Sequence, residues 1–299
     1  AVTGVQTCAL PIFPRTPHVT ANAAWDLAAY SGGRFVLGLG TQVKSHNERR
    51  FSVPWAPPGP RLRDYIACMR AIWDSWQHGT KPAYEGEFYQ YRLTSPFFNP
   101  GPIAHPDIPV IISAMNPFNA RLAGEICDDI TIHGFSTFRY VSEVLLPALV
   151  EGARAAGKDP ARLHVQGGGF VVTGRTAEEV AAVREQTRRQ ISFFASTRSY
   201  ADVMKAHGWE EQAALLHRLS VDGRWDEMPA VITDAMLEEF CVIGTWEELP
   251  AQMRAKCAGI NTQLTLPIAP PGQETNPDDE ARLRTMIAAL KTIPAAGED

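Results

Sequence analysis

Apolar runs alternating with helical segments constrain this chain more than any other feature. RFVLGLG spans residues 34–40, IPVIISA 108–114 and DDITIHG 128–134. A further run, 163–173, lies within LHVQGGGFVVTG, and NTQLTLPI covers 261–268. Strands buried on both faces look like this, because each face must meet an apolar layer. Between them lie stretches with apolar residues at spacings of three and four. In residues 60–77 the stripe is Leu62, Tyr65, Ile66, Met69, Ile72, Trp73 and Trp76, one face of a helix. Strand–helix alternation implies βα units around a parallel sheet. A TIM barrel and an open doubly wound sheet both fit that order.

The punctuation agrees. Thr16-Pro17 predicts an N-cap and first turn, with the helix ending near Tyr30 at Ser31-Gly32-Gly33. Residues 80–107 read as a long aromatic, Pro- and Gly-rich excursion, with YEGEFYQY as a short hairpin. Trp55 and the aromatics Tyr84, Phe88, Tyr89, Phe97 and Phe98 of the excursion either wall an apolar pocket or pack the excursion onto the body. FNARLAGEIC and residues 138–157 predict helices, and residues 176–240 a helical insertion. CVIGTWEELPAQMRAKC reads as a turn into a helix, with Thr245 as N-cap and Glu248 completing a capping box. Asn276 and Pro277 open a closing helix.

Several function classes fall away. The 28 basic and 33 acidic residues form no long run of one sign, so there is no electrostatic footprint for nucleic acid or an anionic membrane. No apolar stretch nears the roughly 20 residues of a membrane helix. Five scattered cysteines, without CxxC spacing, imply reduced core thiols and a cytoplasmic protein. GxSxG, HExxH and GxxxxGK[ST] are absent, so no metal site is expected.

Three segments remain for chemistry. GLGTQV has Gly38 and Gly40 but Val43 where a dinucleotide fingerprint needs glycine or alanine, and no helix is expected to begin there. Thr41, Gln42, Lys44 and His46 then lie beyond the C-terminal end of a parallel strand, where α/β chemistry sits. His46, Glu48, Arg49 and Arg50 offer acid, base or anion contacts, or a solvated loop. In SAMNPFNAR, Ser113 and Ala114 end a strand and Asn116 or Pro117 opens a helix. An anion fits such a start; an ordinary capped turn is the other reading. His133 ends the next strand, as a ligand contact or a structural residue.

At SGGRFVLGLGTQ the chain resembles the luciferase-like monooxygenase superfamily. RLRDYIACMRAIWDSW, HPDIPVIISAMNPFNARLAGEICDDITIH and CVIGTWEELPAQMRAKCAGI continue the resemblance. TQVKSHNERRFSVPWAPPGPRLRDY, STRSYADVMKAHGW and ITDAMLEEF are similar to one subgroup of coenzyme F420-dependent oxidoreductases. The resemblance implies a TIM (β/α)8 barrel of the bacterial-luciferase type. It implies hydride transfer between F420 and a small organic substrate, with FMN-dependent monooxygenation as the alternative. A flavin-binding barrel without turnover is the rival from another class. By position, Gly40, Thr41 and Gln42 would line the ring or tail, and Ser113, Ala114, Met115 and Asn116 would hold the phosphate. Lys44, Arg49 and Arg50 would meet an anionic tail. Gln42, His46 and His133 are the catalytic candidates by position. The expected partner is a small molecule, with no nucleic acid or membrane, and a homodimer is left open.

The start of the chain departs from that family. Val2–Ile12, VTGVQTCALPI, matches in frame the translation of a common sequencing adapter. Residues 1–12 are therefore expected to be non-native. Residues 13–299 are expected to form one barrel domain, incomplete because its first βα units are missing and with four or five strands where a closed barrel has eight. Such a fragment is itself a candidate for an inactive protein. A different coding sequence for residues 2–12 would sink the adapter reading.

Overall fold

The computed structural model describes residues 5–6, 10–261, 263 and 276–294. In chain order the strands and helices are β1 Val5–Gln6, β2 Leu10–Pro11, α1 Pro17–Ser31, β3 Phe35–Gly40, α2 Lys44–Arg49 and α3 Pro58–His78. Then come β4 Tyr84–Glu85, β5 Gln90–Tyr91, β6 Val110–Ala114, α4 Pro117–Ile126 and β7 Asp129–Ile132. A single turn, α5 Phe138–Tyr140, runs through a π-helical stretch, Val141–Leu145, into α6 Leu146–Ala155. β8 His164–Gly167, β9 Phe170–Gly174, α7 Ala177–Ala195, α8 Ala201–Lys205, α9 Glu210–Val221 and α10 Asp234–Phe240 follow. β10 Cys241–Thr245, α11 Leu249–Cys257 and α12 Pro277–Leu290 complete the order. No described helix is long and apolar enough to cross a membrane.

The chain divides into two compact units. The first holds residues 1–113, 118–130 and 151–160. Its centre is β3, where Phe35, Leu37 and Leu39 are almost wholly buried. β2 and β6 both pair with it in parallel, Leu10 opposite Leu39 and Leu37 opposite Val110. α1 starts as its sequence dictates: the Thr16 hydroxyl accepts from the Val19 N–H, and Gly32 closes the helix at φ 63°. Its small residues Ala21, Ala24 and Ala28 are buried and let α3 approach. Trp25 and Trp76 meet edge to face at 5.7 Å, and Trp73 Nε1 donates to the Ala21 carbonyl at 3.1 Å. Every member of the predicted α3 stripe is buried.

The excursion forms the expected hairpin, β4 pairing antiparallel with β5. Its aromatics divide. Tyr84 bonds the buried Asp64 carboxylate, and Tyr89 meets Tyr65 edge to face at 5.2 Å. Phe97 and Phe98 are 94% and 77% exposed, so they neither wall a pocket nor pack. Pro96 and Pro100 flank them and leave no regular element to carry a buried face.

The second unit holds residues 114–117, 131–150 and 161–299. β9 and β10 pair in parallel, Phe170 opposite Cys241 and Gly174 opposite Thr245. Val242 and Trp246 then join Leu249, Met253, Leu283 and Met286 in a core under α11 and α12. Asn276 caps α12 as expected, accepting from the Asp279 N–H at 2.8 Å.

Four expectations need correction. A short helix, α2, does begin after GLGTQV. LHVQGGGFVVTG is two strands, because Gly167, Gly168 and Gly169 all take positive φ and turn the chain between them. CVIGT is a strand rather than a turn. The capping box is halved: Thr245 N–H and Oγ1 both donate to Glu248 Oε2 at 2.9 and 3.0 Å, while α11 starts later, at Leu249. Of the expected last strand only Asn261 and Gln263 are described, Gln263 bridging in parallel to Gln166; the rest of 261–268, like Cys8, lies outside the described residues. The other four cysteines are free and buried, as core thiols should be.

Candidate functional site

In the first unit, β3 delivers Gly40, Thr41 and Gln42 to a tight exit. Gln42 sits at φ 58°, a conformation uncommon for a residue with a Cβ. The cause is visible in Asn47 of α2. It is 1% exposed, and its Nδ2 donates to the Thr41 carbonyl at 3.0 Å. That bond pins the loop back on the helix that follows it. Lys44, His46, Arg49 and Arg50 are exposed on or just after α2. Lys44 lies 3.8 Å from Glu48, and the Arg50 guanidinium sits over the Phe51 ring at 5.3 Å. These side chains are exposed, on a short helix rather than the loop that one sequence reading expected. Ser113, half-buried, is the last residue of β6 in this unit.

The second unit brings other candidates together. Ala114 is wholly buried, and its carbonyl accepts from the His133 N–H at 3.4 Å. The next residue, Met115, is tied twice. Its carbonyl accepts from the Tyr140 hydroxyl at 3.3 Å, and its Sδ from Ser136 Oγ at 3.7 Å. The turn Ala114–Asn116 is thus held against the exit of β7, and α4 opens directly after it at Pro117.

His133 points its Nδ1 at the Phe135 N–H, which donates at 3.0 Å. The neutral ring therefore carries its proton on Nε2. Phe194 meets the imidazole edge-on at 5.0 Å, and Tyr200 lies tilted at 5.3 Å. Phe135 stacks between Tyr200 and Phe240. Burial among these rings holds the His133 pKa below its ordinary value and pushes the Tyr200 phenol up. Both groups are neutral at pH 7. A neutral imidazole with Nδ1 engaged is a hydrogen-bond donor through Nε2, suited to polarising an oxygen.

Sequence reasoning missed a second histidine. Thr137 caps α5 by accepting from the Tyr140 N–H, and its Oγ1 lies 2.7 Å from His207 Nε2. His207 stacks on Trp209 at 4.2 Å, and burial, the largest influence on it, lowers its pKa too. The fragment MKAHGW carried no motif that pointed to this; the contact spans 70 residues. Phe194 and Tyr200 were equally invisible, since both sit in the helical insertion. Among the described residues no group of acidic, His or Cys side chains could hold a metal ion.

The two histidines make stability pH-dependent in a definite direction. Each is held below its unfolded value, so between the two values the unfolded chain binds more protons. Stability is complete above about pH 6.5 and falls below it, by at most about 1.4 kcal/mol per pH unit for each histidine. Urea unfolding at pH 7.5 and 5.5 checks this. In His133→Asn, whose side-chain oxygen can take the Phe135 N–H, the pH slope shrinks; an unchanged slope assigns the titration elsewhere.

Residues 4–261 match the profile of the luciferase-like monooxygenase family. An uncharacterised protein of Mycobacterium bovis is 41% identical over 248 residues, 83% of this chain and 73% of the relative. A 5,10-methylenetetrahydromethanopterin reductase of Archaeoglobus fulgidus is 27% identical over 75% of this chain and 64% of its own length. The solved coenzyme F420-dependent tetrahydromethanopterin reductase of Methanopyrus kandleri superposes with TM-score 0.73 at 18% identity, covering 97% of this chain and 82% of that one. The luciferase-type TIM-barrel class expected from the sequence is thereby the fold of this chain's relatives.

Proposed function

The chain belongs to the luciferase-like monooxygenase family, and from that premise we propose that it is an oxidoreductase transferring hydride between coenzyme F420 and a small organic substrate. One observation carries the reading: the β7 exit joins a half-buried neutral imidazole to the Ala114–Asn116 turn, through the His133 N–H on the Ala114 carbonyl.

The residues at that turn fit a phosphate-bearing cofactor. Ala114 at the head of the turn is small and wholly buried, while Met115 and Asn116 after it are half-buried, so the turn's outer side is within reach of a ligand. The turn is rigid, because Tyr140 and Ser136 hold Met115. It leads into a ten-residue helix, whose first turn favours an anion. When bound, the deazaflavin would supply a two-electron hydride carrier. The chain's own residues do the rest. The Ala114–Asn116 turn holds the phosphate. His133 Nε2–H orients and polarises a substrate oxygen, while Phe135, Phe194 and Tyr200 exclude water from it. Its fixed tautomer and aromatic surround give His133 this role in preference to the exposed His46 or to Gln42. In the first unit, Gly40, Thr41 and Gln42 remain candidates for ring or tail contacts, and Lys44, Arg49 and Arg50 for an anionic tail, on residue chemistry alone.

Titration with F420 and with FMN tests this. F420 binds at least tenfold tighter than FMN. Asn116→Asp, which adds a negative charge to the turn, weakens F420 by about tenfold, about 1.4 kcal/mol, with an unchanged circular dichroism spectrum. Tighter FMN binding favours the monooxygenase alternative. Binding of F420 with no hydride exchange towards any acceptor favours the non-catalytic one.

A further inference from the structure

The second unit contains a cavity of about 360 Å³, at the small end of ligand pockets. Its floor is the Gly167–Gly169 turn. Ile132, Phe138, Phe170 and Met253 supply apolar wall, and the exposed Gln186, Gln190 and Gln263 mark its open side. Among the described residues, no Asp, Glu, Lys, Arg or His lines it. An ion entering it would lose water and find no counter-charge, which rejects carboxylates and ammoniums.

One wall atom asks for a ligand. Asn261 is 5% exposed and lines the cavity. Its Nδ2 donates to the Gly167 carbonyl at 2.6 Å, which fixes which way the amide faces. Its Oδ1 is then left buried with no partner among the described residues. A buried acceptor without a donor costs about 1–3 kcal/mol, and a bound hydroxyl or amide N–H removes that cost. A ketone, ester or hydrocarbon brings no donor and does not.

We propose that this cavity binds an uncharged small molecule with an apolar body and one hydrogen-bond donor, a hydroxyl or amide N–H received by Asn261 Oδ1. No cofactor takes part in this binding, so the inference stands or falls apart from the F420 reading.

Three matched probes test it on the whole chain: cyclohexanol, cyclohexanone and cyclohexanecarboxylate. Binding is read by chemical-shift titration without cofactor. The alcohol binds at least tenfold tighter than the ketone, and the carboxylate does not bind. Asn261→Leu removes the preference for the alcohol. A second measurement needs no variant. Cys257 also lines the cavity and is buried, so cyclohexanol slows its labelling by N-ethylmaleimide several-fold. Equal affinity for alcohol and ketone in the unmutated chain overturns the proposal. Binding of the carboxylate, or unprotected Cys257 at saturating alcohol, overturns it as well.

Discussion

Gly167→Val lowers the stability of the chain by about 4 kcal/mol, in the range reserved for backbone strain joined to a core clash. Gly167 has φ 82°, and a Cβ there would meet the Ile132 carbonyl oxygen at 2.3 Å. A β-branched side chain cannot adopt that φ without strain, and the contact it would press on is backbone, which cannot swing away. Gly167's own carbonyl accepts the Asn261 bond, so the damage spreads to Asn261, one of the two described residues of the last expected strand. Gly208→Ala is the control. It has φ 72° but open space around its Cβ position, so it costs about 1–2 kcal/mol. Urea unfolding of both variants checks the difference. Equal effects would mean that the turn between β8 and β9 tolerates repacking.

Asp64→Ala is the second large effect, about 3 kcal/mol in the first unit. The Asp64 side chain lies on α3, 8% exposed. Its Oδ2 accepts from the Phe88 and Tyr89 N–H groups at 2.5 and 3.0 Å, and its Oδ1 from the Tyr84 hydroxyl. Removing it strands the two backbone donors, each worth about 1–3 kcal/mol if left dry, and leaves the Tyr84 hydroxyl only its 3.3 Å bond to the residue 64 carbonyl. Gly86 shows how close the hairpin sits, since a Cβ there would meet Oδ1 at 1.7 Å. Water reaching the cavity left by Ala offsets part of the sum. Asp64→Asn, which keeps one acceptor oxygen, loses about half as much. Thermal unfolding orders the three proteins. An Asp64→Ala chain as stable as the parent would show that the hairpin is held by its aromatics alone.

Much of this architecture was written in local signals. The Thr16 cap, the Gly32 stop and the α3 stripe act over one or two helical turns, and each lies where its residues put it. What escaped was set by contacts far along the chain. Three consecutive glycines are a turn signal, yet the flanking HVQ and FVVT favour extended structure, and the distant residues packed against the glycines, Ile132, Phe138 and Val141 among them, decide the break. β10 follows α10 with no turn residue between Phe240 and Cys241, so no punctuation announced it; pairing with β9 defines it. The site divides in the same way. His133 and the Ala114–Asn116 turn were legible because strand ends are where α/β chemistry sits. Phe194, Tyr200 and His207 were not, since the insertion reads as ordinary helix until it folds over the β7 exit.

The measurement closest to the central claim is a crystal structure of the chain with F420 bound. The account predicts the cofactor phosphate within about 3 Å of the Ala114–Asn116 backbone and the ring against His133, with the imidazole still accepting from the Phe135 N–H. A phosphate bound elsewhere, or a turn closed by its own side chains with the cofactor absent at saturating concentration, would contradict it.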